Sequence, residues 1–248
     1  MTFRGGEGPP RVLFDAGAFG IYADGANLVR ALAARGVSSA TYTRAGLSGS
    51  DPSPHAPTPQ QHAEDMLALL SALGQTGPVL LAGHSMAGLR LHALASLAPE
   101  RAAGLVLIDA MVPGVRSPRL LRAGAAALRP VERLLPAFCR AADAYPNAMR
   151  LEGRERADKL ASVYSAAHLS ASRAEIHHAA RADVPPVPPV PMLIFPAGRI
   201  ARGSDTLAAA ADARLIDMSA YGHAGILAPE PAGRVAAAIR AWPSLHKT

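Results

Sequence analysis

The run Gly83-His84-Ser85-Met86-Ala87-Gly88 places a serine among small residues, directly after the apolar stretch PVLLAG (78–83). Small neighbours let a chain turn sharply enough to present a hydroxyl outward. A hydroxyl so placed suits attack on an acyl carbon, provided that three further kinds of group are present. A base must take its proton, because a free hydroxyl is a poor nucleophile at neutral pH. A third group must orient that base and stabilise its charged form. Donors must also meet the charge of the tetrahedral intermediate. The plainer alternative is that Ser85 only caps a helix.

The elements around Ser85 favour the chemical reading. RVLFDAG (11–17), SATYT (39–43), PVLLAG (78–83) and GLVLID (104–109) read as short buried strands, and MLIFPAG (192–198) and ARLIDM (213–218) resume the pattern. Continuous apolar runs are what parallel strands covered on both faces require. Between them lie helices: one capped by Asp24 and stopped at Gly36, one opening at Thr58-Pro59-Gln60-Gln61, one from Ser85 to about Ala98, and a last one in PAGRVAAAIRAW (231–242). Strands alternating with helices imply right-handed crossovers. The expectation is a doubly wound α/β fold with a mostly parallel six-stranded sheet and helices on both faces. Residues 111–183 break the rhythm, being Ala/Arg/Leu-rich without a convincing strand, and VPPVPPVP (184–191) reads as a stiff connector. The core is therefore expected in 1–110 and 191–248, with 111–190 inserted as a helical cap. Ser85 then falls at a strand-to-helix junction in mid-sheet, where open α/β sheets bind ligands. The helix that begins there aims its dipole at developing negative charge.

Composition sets outer bounds. The chain has 248 residues, half of them apolar, enough for a sizeable core. Its net charge of +6 comes almost wholly from Arg, the only lysines being Lys159 and Lys247. The arginines are dispersed, without a basic run or interleaved aromatics, so nucleic acid is not the expected partner. No apolar run is long enough to span a bilayer, and MTFRGGEGPP lacks a signal-peptide core. Cys139 is the single cysteine, so no internal disulfide and no thiolate metal site is expected, and the location read from it is cytoplasmic.

At the residues quoted, the chain resembles the α/β-hydrolase superfamily along nearly its whole length. GHSMAG (83–88) is similar to the Gly-x-Ser-x-Gly nucleophile elbow, with Ala87 in place of the second Gly. YTRAGLSGSDP (42–52) resembles the Tyr-Asp-Arg-x-Gly-x-Gly-x-Ser-Asp loop of esterase-like and peptidase-like members, with Thr43 for the usual Asp. YGHAGILAPEP (221–231) resembles the catalytic-histidine loop. A lone elbow motif is weak; the three in this order are specific.

The resemblance implies roles. Of nine histidines, His223 follows serine and acid in the hydrolase order and is the expected base. His84 adjoins the nucleophile and points elsewhere on an elbow. His168, His177 and His178 fall in the cap, where the His177-His178 pair lacks supporting ligands for a metal, and His55, His62, His92 and His246 read as surface or helix-face residues. The acid is expected at Asp109, at the end of the strand after the elbow, or at Asp205 in RIARGSD (199–205); Asp109 is favoured, and Asp217 comes late in its strand. Oxyanion donors are expected at the backbone N–H of Met86 and, in DAGAFG (15–20), of Ala18, with Phe19 as the alternative. Relatives often carry two strands upstream of RVLFDAG, and the short stretch here implies a trimmed sheet.

The implied activity is cleavage of a small, fairly apolar ester, lactone, thioester or amide through an acyl-enzyme on Ser85, without metal or cofactor. A dehalogenase would want Asp at position 85. A lyase-type member of the fold, or a ligand-binding protein with an idle triad, keeps the same motifs. The expected partner is a small molecule rather than a membrane, and nothing in the composition opposes a homodimer.

Overall fold

The computed structural model describes residues 1–113, 144–182, 188, 190–197 and 213–243. Cys139, Asp205, His246 and most of VPPVPPVP lie outside the described residues.

Seven strands form one sheet: β1 Thr2–Gly5, β2 Val12–Asp15, β3 Ser39–Tyr42, β4 Val79–His84, β5 Ala102–Ile108, β6 Met192–Phe195 and β7 Ala213–Leu215. Their order is β1-β3-β2-β4-β5-β6-β7. All six expected strands are present and pair in parallel. The sheet gains a seventh, β1, which pairs antiparallel to β3 with Thr2 opposite Tyr42. TFRG carries no apolar run because β1 is an edge strand with one face in solvent, alternating exposed and half-buried residues. Phe3 supplies its inward side chain, 6.2 Å from the Tyr22 ring.

Strand alternation divides the core. Val12, Phe14, Leu80, Ala82, Val106, Ile108, Leu193 and Phe195 face one side. There they meet Leu28 and Leu32 of α1 (Ala26–Ala33) and Val235 and Ile239 of α6 (Pro229–Arg240). Leu13, Leu81, Leu105, Leu107, Met192 and Ile194 face the other side, against Met66 and Leu70 of α2 (Pro59–Ala72) and Leu91 and Leu94 of α3 (Ala87–Leu97). Thr58 caps α2 through its hydroxyl, which accepts the N–H of Gln61 at 3.0 Å. Asp24 does not cap α1. A 3-10 turn, Tyr22–Gly25, precedes that helix, and the Asp24 carboxylate pairs instead with Lys159 at 2.8 Å.

Lys159 belongs to α4 (Gly153–Val163), which with α5 (Ala166–Ala179) makes up most of the described part of 111–190. Both helices lie over loops that follow β2 and β3. Tyr22 donates its hydroxyl to Asp158 at 2.5 Å, Arg30 pairs with Glu155, and the Ser48 N–H donates to His168 Nδ1 at 3.2 Å. Among the described residues no helix is long and apolar enough to cross a membrane.

Candidate active site

β4 ends at His84, α3 begins at Ala87, and the turn between them holds Ser85 at φ 57°. That left-handed value is uncommon for a residue with a Cβ, and such strain persists only where surrounding contacts over-determine it. Here the Ser85 N–H donates to the Ile108 carbonyl at 3.3 Å, and its carbonyl accepts the Met111 N–H at 2.8 Å. The glycines make room for the turn. A Cβ on Gly83 would stand 2.8 Å from that of Ala87, and one on Gly88 would strike the Met111 carbonyl. Ala87 therefore fits in place of the usual second glycine because Gly83 beside it has no side chain.

Non-glycine residues at positive φ converge here. Phe19, Ser85 and Asp109 are three of the four among the described residues, the fourth being Arg150. Asp109 follows β5 directly and is fully buried. Its backbone N–H donates to the Phe195 carbonyl at 2.8 Å, and its Oδ1 accepts the Ala197 N–H at 3.1 Å. Its Oδ2 lies 2.5 Å from Nδ1 of His223. The structure thus brings together the expected base and the favoured acid across 114 positions of chain. His223 retains 28% side-chain exposure while Asp109 has none, so the imidazole opens to solvent and the carboxylate does not. Asp217 is instead occupied with the N–H and hydroxyl of Ser219.

His84 has a part that sequence reasoning left general. Its ring lies 4.3 Å from that of His223, and its Nε2 donates to the His223 carbonyl at 2.8 Å. Burial pushes its pKa down to about 3, aided by the nearby His223. A neutral His84 therefore supports the ring and backbone of His223 from beneath.

The loop 15–20 crosses the other side of the elbow. A Cβ on Gly17 would meet the Ser85 Cβ at 2.8 Å, so glycine is required for the approach. Met86, Leu89 and Met111 cluster with Ile176 and Ala179 of α5, and Ala18 and Phe19 pack against them. Beneath the loop lies a buried ion network absent from the sequence-based picture. Asp15 pairs with Arg90 at 2.6 Å and with Arg44 at 3.1 Å. Arg44 also pairs with Glu175 of α5 at 2.7 Å. Burial alone would raise the Asp15 carboxyl, but the Arg90 and Arg44 charges outweigh it and hold it below its ordinary value. Burial acts on Glu175 in the same sense and is likewise outweighed, chiefly by Arg44. Two buried cations and two buried anions balance, as a buried cluster must.

His62 and His92 are not surface residues. His92 is fully buried, with Nδ1 on the Gly88 carbonyl at 2.7 Å, and His62 lies 3.4 Å from Glu175. Burial lowers His62 to about 4, and does the same to His168. A histidine whose folded pKa is depressed takes up its proton more readily when unfolded. Its contribution to stability is complete above the unfolded value of 6.5 and is lost as pH falls toward the folded value. His62 and His168 should therefore weaken the fold between pH 6.5 and about 4, and His84 down to about 3. Each contributes a slope of up to about 1.4 kcal/mol per pH unit. Urea unfolding at pH steps across this window should give a free energy that declines with acidity. A flat profile down to about pH 4 would contradict the buried neutral state of these histidines.

A doubly wound sheet with a serine on a strained strand-to-helix turn defines a hydrolase-type α/β fold. Residues 12–238 match the profile of the Alpha/beta hydrolase family. The chain belongs to that family. No curated protein matches it by sequence. Among solved structures it is similar to a thermophilic esterase from Thermogutta terrifontis, with TM-score 0.73 and 22% identity over 100% of this chain and 94% of that one. It is equally similar to the enol-lactonase from Burkholderia xenovorans LB400, with TM-score 0.73 and 23% identity over 96% and 94%. An epoxide hydrolase, CorEH, gives TM-score 0.72 at 17% identity over 96% and 93%. At these identities the likeness is one of fold.

Proposed function

We propose that the protein is a serine hydrolase that cleaves a small, fairly apolar ester, lactone, thioester or amide, with Ser85, His223 and Asp109 as its triad. The observation that carries this reading is the 2.5 Å contact between His223 Nδ1 and buried Asp109 Oδ2, beside the strained Ser85 turn. An Nδ1–H held by a carboxylate leaves Nε2 as the basic nitrogen.

His223 Nε2 takes the proton of Ser85 as Oγ bonds to the acyl carbon, and the carbonyl electron pair moves to oxygen. The backbone N–H groups of Met86 and Ala18 donate hydrogen bonds to that oxyanion. Collapse expels the leaving group, which receives the proton from His223 and leaves an acyl-enzyme. Water, deprotonated by His223, then repeats the sequence and frees the acid and Ser85. Asp109 stays ionised throughout and stabilises the imidazolium. No step uses a cofactor or metal.

In this account α4 and α5, the described helices of the insert 111–190, belong to a cap over the site, and residues 114–143 of that insert lie outside the described residues. Ile176 and Ala179, packed on Met86, Leu89 and Met111, give the acyl side an apolar wall, which supports an apolar substrate. The single cysteine, Cys139, supports a cytoplasmic location.

A panel of p-nitrophenyl esters of rising chain length, set beside simple lactones, tests the substrate class. Turnover should be highest for short to medium apolar acyl groups and should fall for charged ones. Preference for a charged acyl group would overturn the class. The same assay separates the hydrolase from a binding protein on this fold, which would turn over none of the panel.

A further inference from the structure

Arg44 uses all five of its N–H donors. Nε and Nη2 chelate Glu175, at 2.7 Å to Oε1 and 2.9 Å to Oε2. The second Nη2 hydrogen reaches the Gly17 carbonyl at 2.9 Å. Nη1 serves the Ala16 carbonyl at 2.7 Å and Asp15 Oδ1 at 3.1 Å. A guanidinium is planar and its donors have fixed directions. The Glu175 chelate therefore sets the plane in which the remaining donors meet the backbone of residues 16 and 17.

The Gly17 carbonyl shares a peptide unit with the N–H of Ala18. No described peptide is cis, so that N–H points opposite to the carbonyl. Fixing the carbonyl fixes the N–H. A cation on the carbonyl oxygen also polarises the unit and makes its N–H a stronger donor. The loop is held at a second point of the insert, since the Phe19 carbonyl accepts Lys159 Nζ at 2.8 Å and His168 Nε2 at 3.3 Å. Among the described residues nothing comparable fixes the N–H of Phe19, which shares its peptide with the Ala18 carbonyl.

We propose that Glu175 is a positioning residue for the oxyanion hole: acting through Arg44, it aims and polarises the Gly17–Ala18 peptide, so that Ala18 is the second donor and the inserted helices complete the catalytic loop as well as covering it. The proposal rests on the serine-hydrolase reading above. It assigns α5 a part in the transition state rather than in substrate binding alone. Its reach spans 131 positions of chain, from the insert to the loop after β3.

Glu175→Gln keeps the shape and removes the charge. Active sites are counted with a fluorophosphonate, so that turnover is expressed per reactive serine and loss of folded protein is removed from the comparison. The expected result is a fall in kcat of about 10- to 100-fold, part of what deleting an oxyanion donor costs, with KM changed less than about twofold. A trifluoromethyl ketone, which forms a hemiketal oxyanion on the serine, should lose affinity in parallel with kcat/KM. Arg44→Lys, which loses the planar fork, should behave alike. Glu155→Gln is the control: it breaks another insert-to-core ion pair, with Arg30, away from the loop, and should leave both readouts at the wild-type value. If Glu175→Gln gives no titratable enzyme, Glu175→Asp decides, with an intermediate loss expected because the charge remains and the reach shortens. Wild-type kcat and inhibitor affinity in whichever variant is titrated would overturn the proposal while leaving the triad intact. A wild-type enzyme that neither turns over esters nor labels at Ser85 would remove the hydrolase reading, and the proposal with it.

Discussion

Ser85→Ala is expected to lower ester turnover about 10⁶-fold, to the residual level that binding and oxyanion donors supply alone, because the members of a triad act as a unit. The fold should survive. Alanine differs by one oxygen, and the Ser85 backbone is held by Ile108 and Met111 through groups that the substitution leaves in place. The left-handed φ of 57° costs alanine no less than serine, so a small loss of stability is the expected structural consequence. Urea unfolding checks that side, and steady-state hydrolysis of a short p-nitrophenyl ester checks the other. A mutant within about tenfold of wild type would place the nucleophile elsewhere.

Asp109→Asn is expected to lower kcat by up to about 10⁴-fold. Asparagine suits the site structurally. It tolerates left-handed backbone better than most residues, as φ 42° demands, and its amide oxygen can still accept the Ala197 N–H. Its amide nitrogen then faces His223 Nδ1 and donates to it. The ring must carry its proton on Nε2, which points a donor at the nucleophile where a base is required. Activity is lost through the tautomer with little change in stability. Asp109→Ala should lose stability as well, since it also removes the acceptor for Ala197. Asp205→Asn should leave kcat near wild type. Measuring kcat and urea midpoint for the three variants distinguishes them. An inactive Asp205→Asn beside an active Asp109→Asn would move the acid to the loop after β6.

What could be read from the sequence follows from how far each signal extends along the chain. The six parallel strands were legible because burial on both faces makes each a continuous apolar run. β1 was not, because an edge strand with one wet face has no such run, and its pairing with β3 depends on residues 34 to 40 positions away. The Ser85 turn and the His223 loop were legible as candidates through the short motifs around them. Asp109 could be ranked but not fixed, since strand ends of this type often carry a structural aspartate. Its φ of 42° and its contact with His223 exist only in three dimensions.

The ion network beneath the loop left no local trace. Arg44 sits in a recognisable turn, yet its carboxylates come from β2 and from α5. The Thr43 position, where the resemblance led one to expect Asp, is used for a neutral contact, its Oγ1 accepting the Tyr22 N–H at 3.1 Å. His62 and His92 looked like helix-face residues because a buried histidine on a helix has the same spacing as an exposed one. What distinguishes them is the packing of α2 and α3 on the sheet, with Glu175 brought in beside His62. Asp24 read as a cap from its place before α1, and its partner Lys159 lies 135 positions on.

The central claim is that Ser85 is the nucleophile, activated by His223 and Asp109. Its most direct test is covalent: the protein is treated with a fluorophosphonate, weighed intact by mass spectrometry, and digested to locate the adduct. The account predicts one adduct per chain, on the peptide that contains Ser85, formed by the wild type and slowed in Asp109→Asn. Labelling at another residue, or a wild-type protein that remains unmodified under conditions that label a known serine esterase, would contradict it.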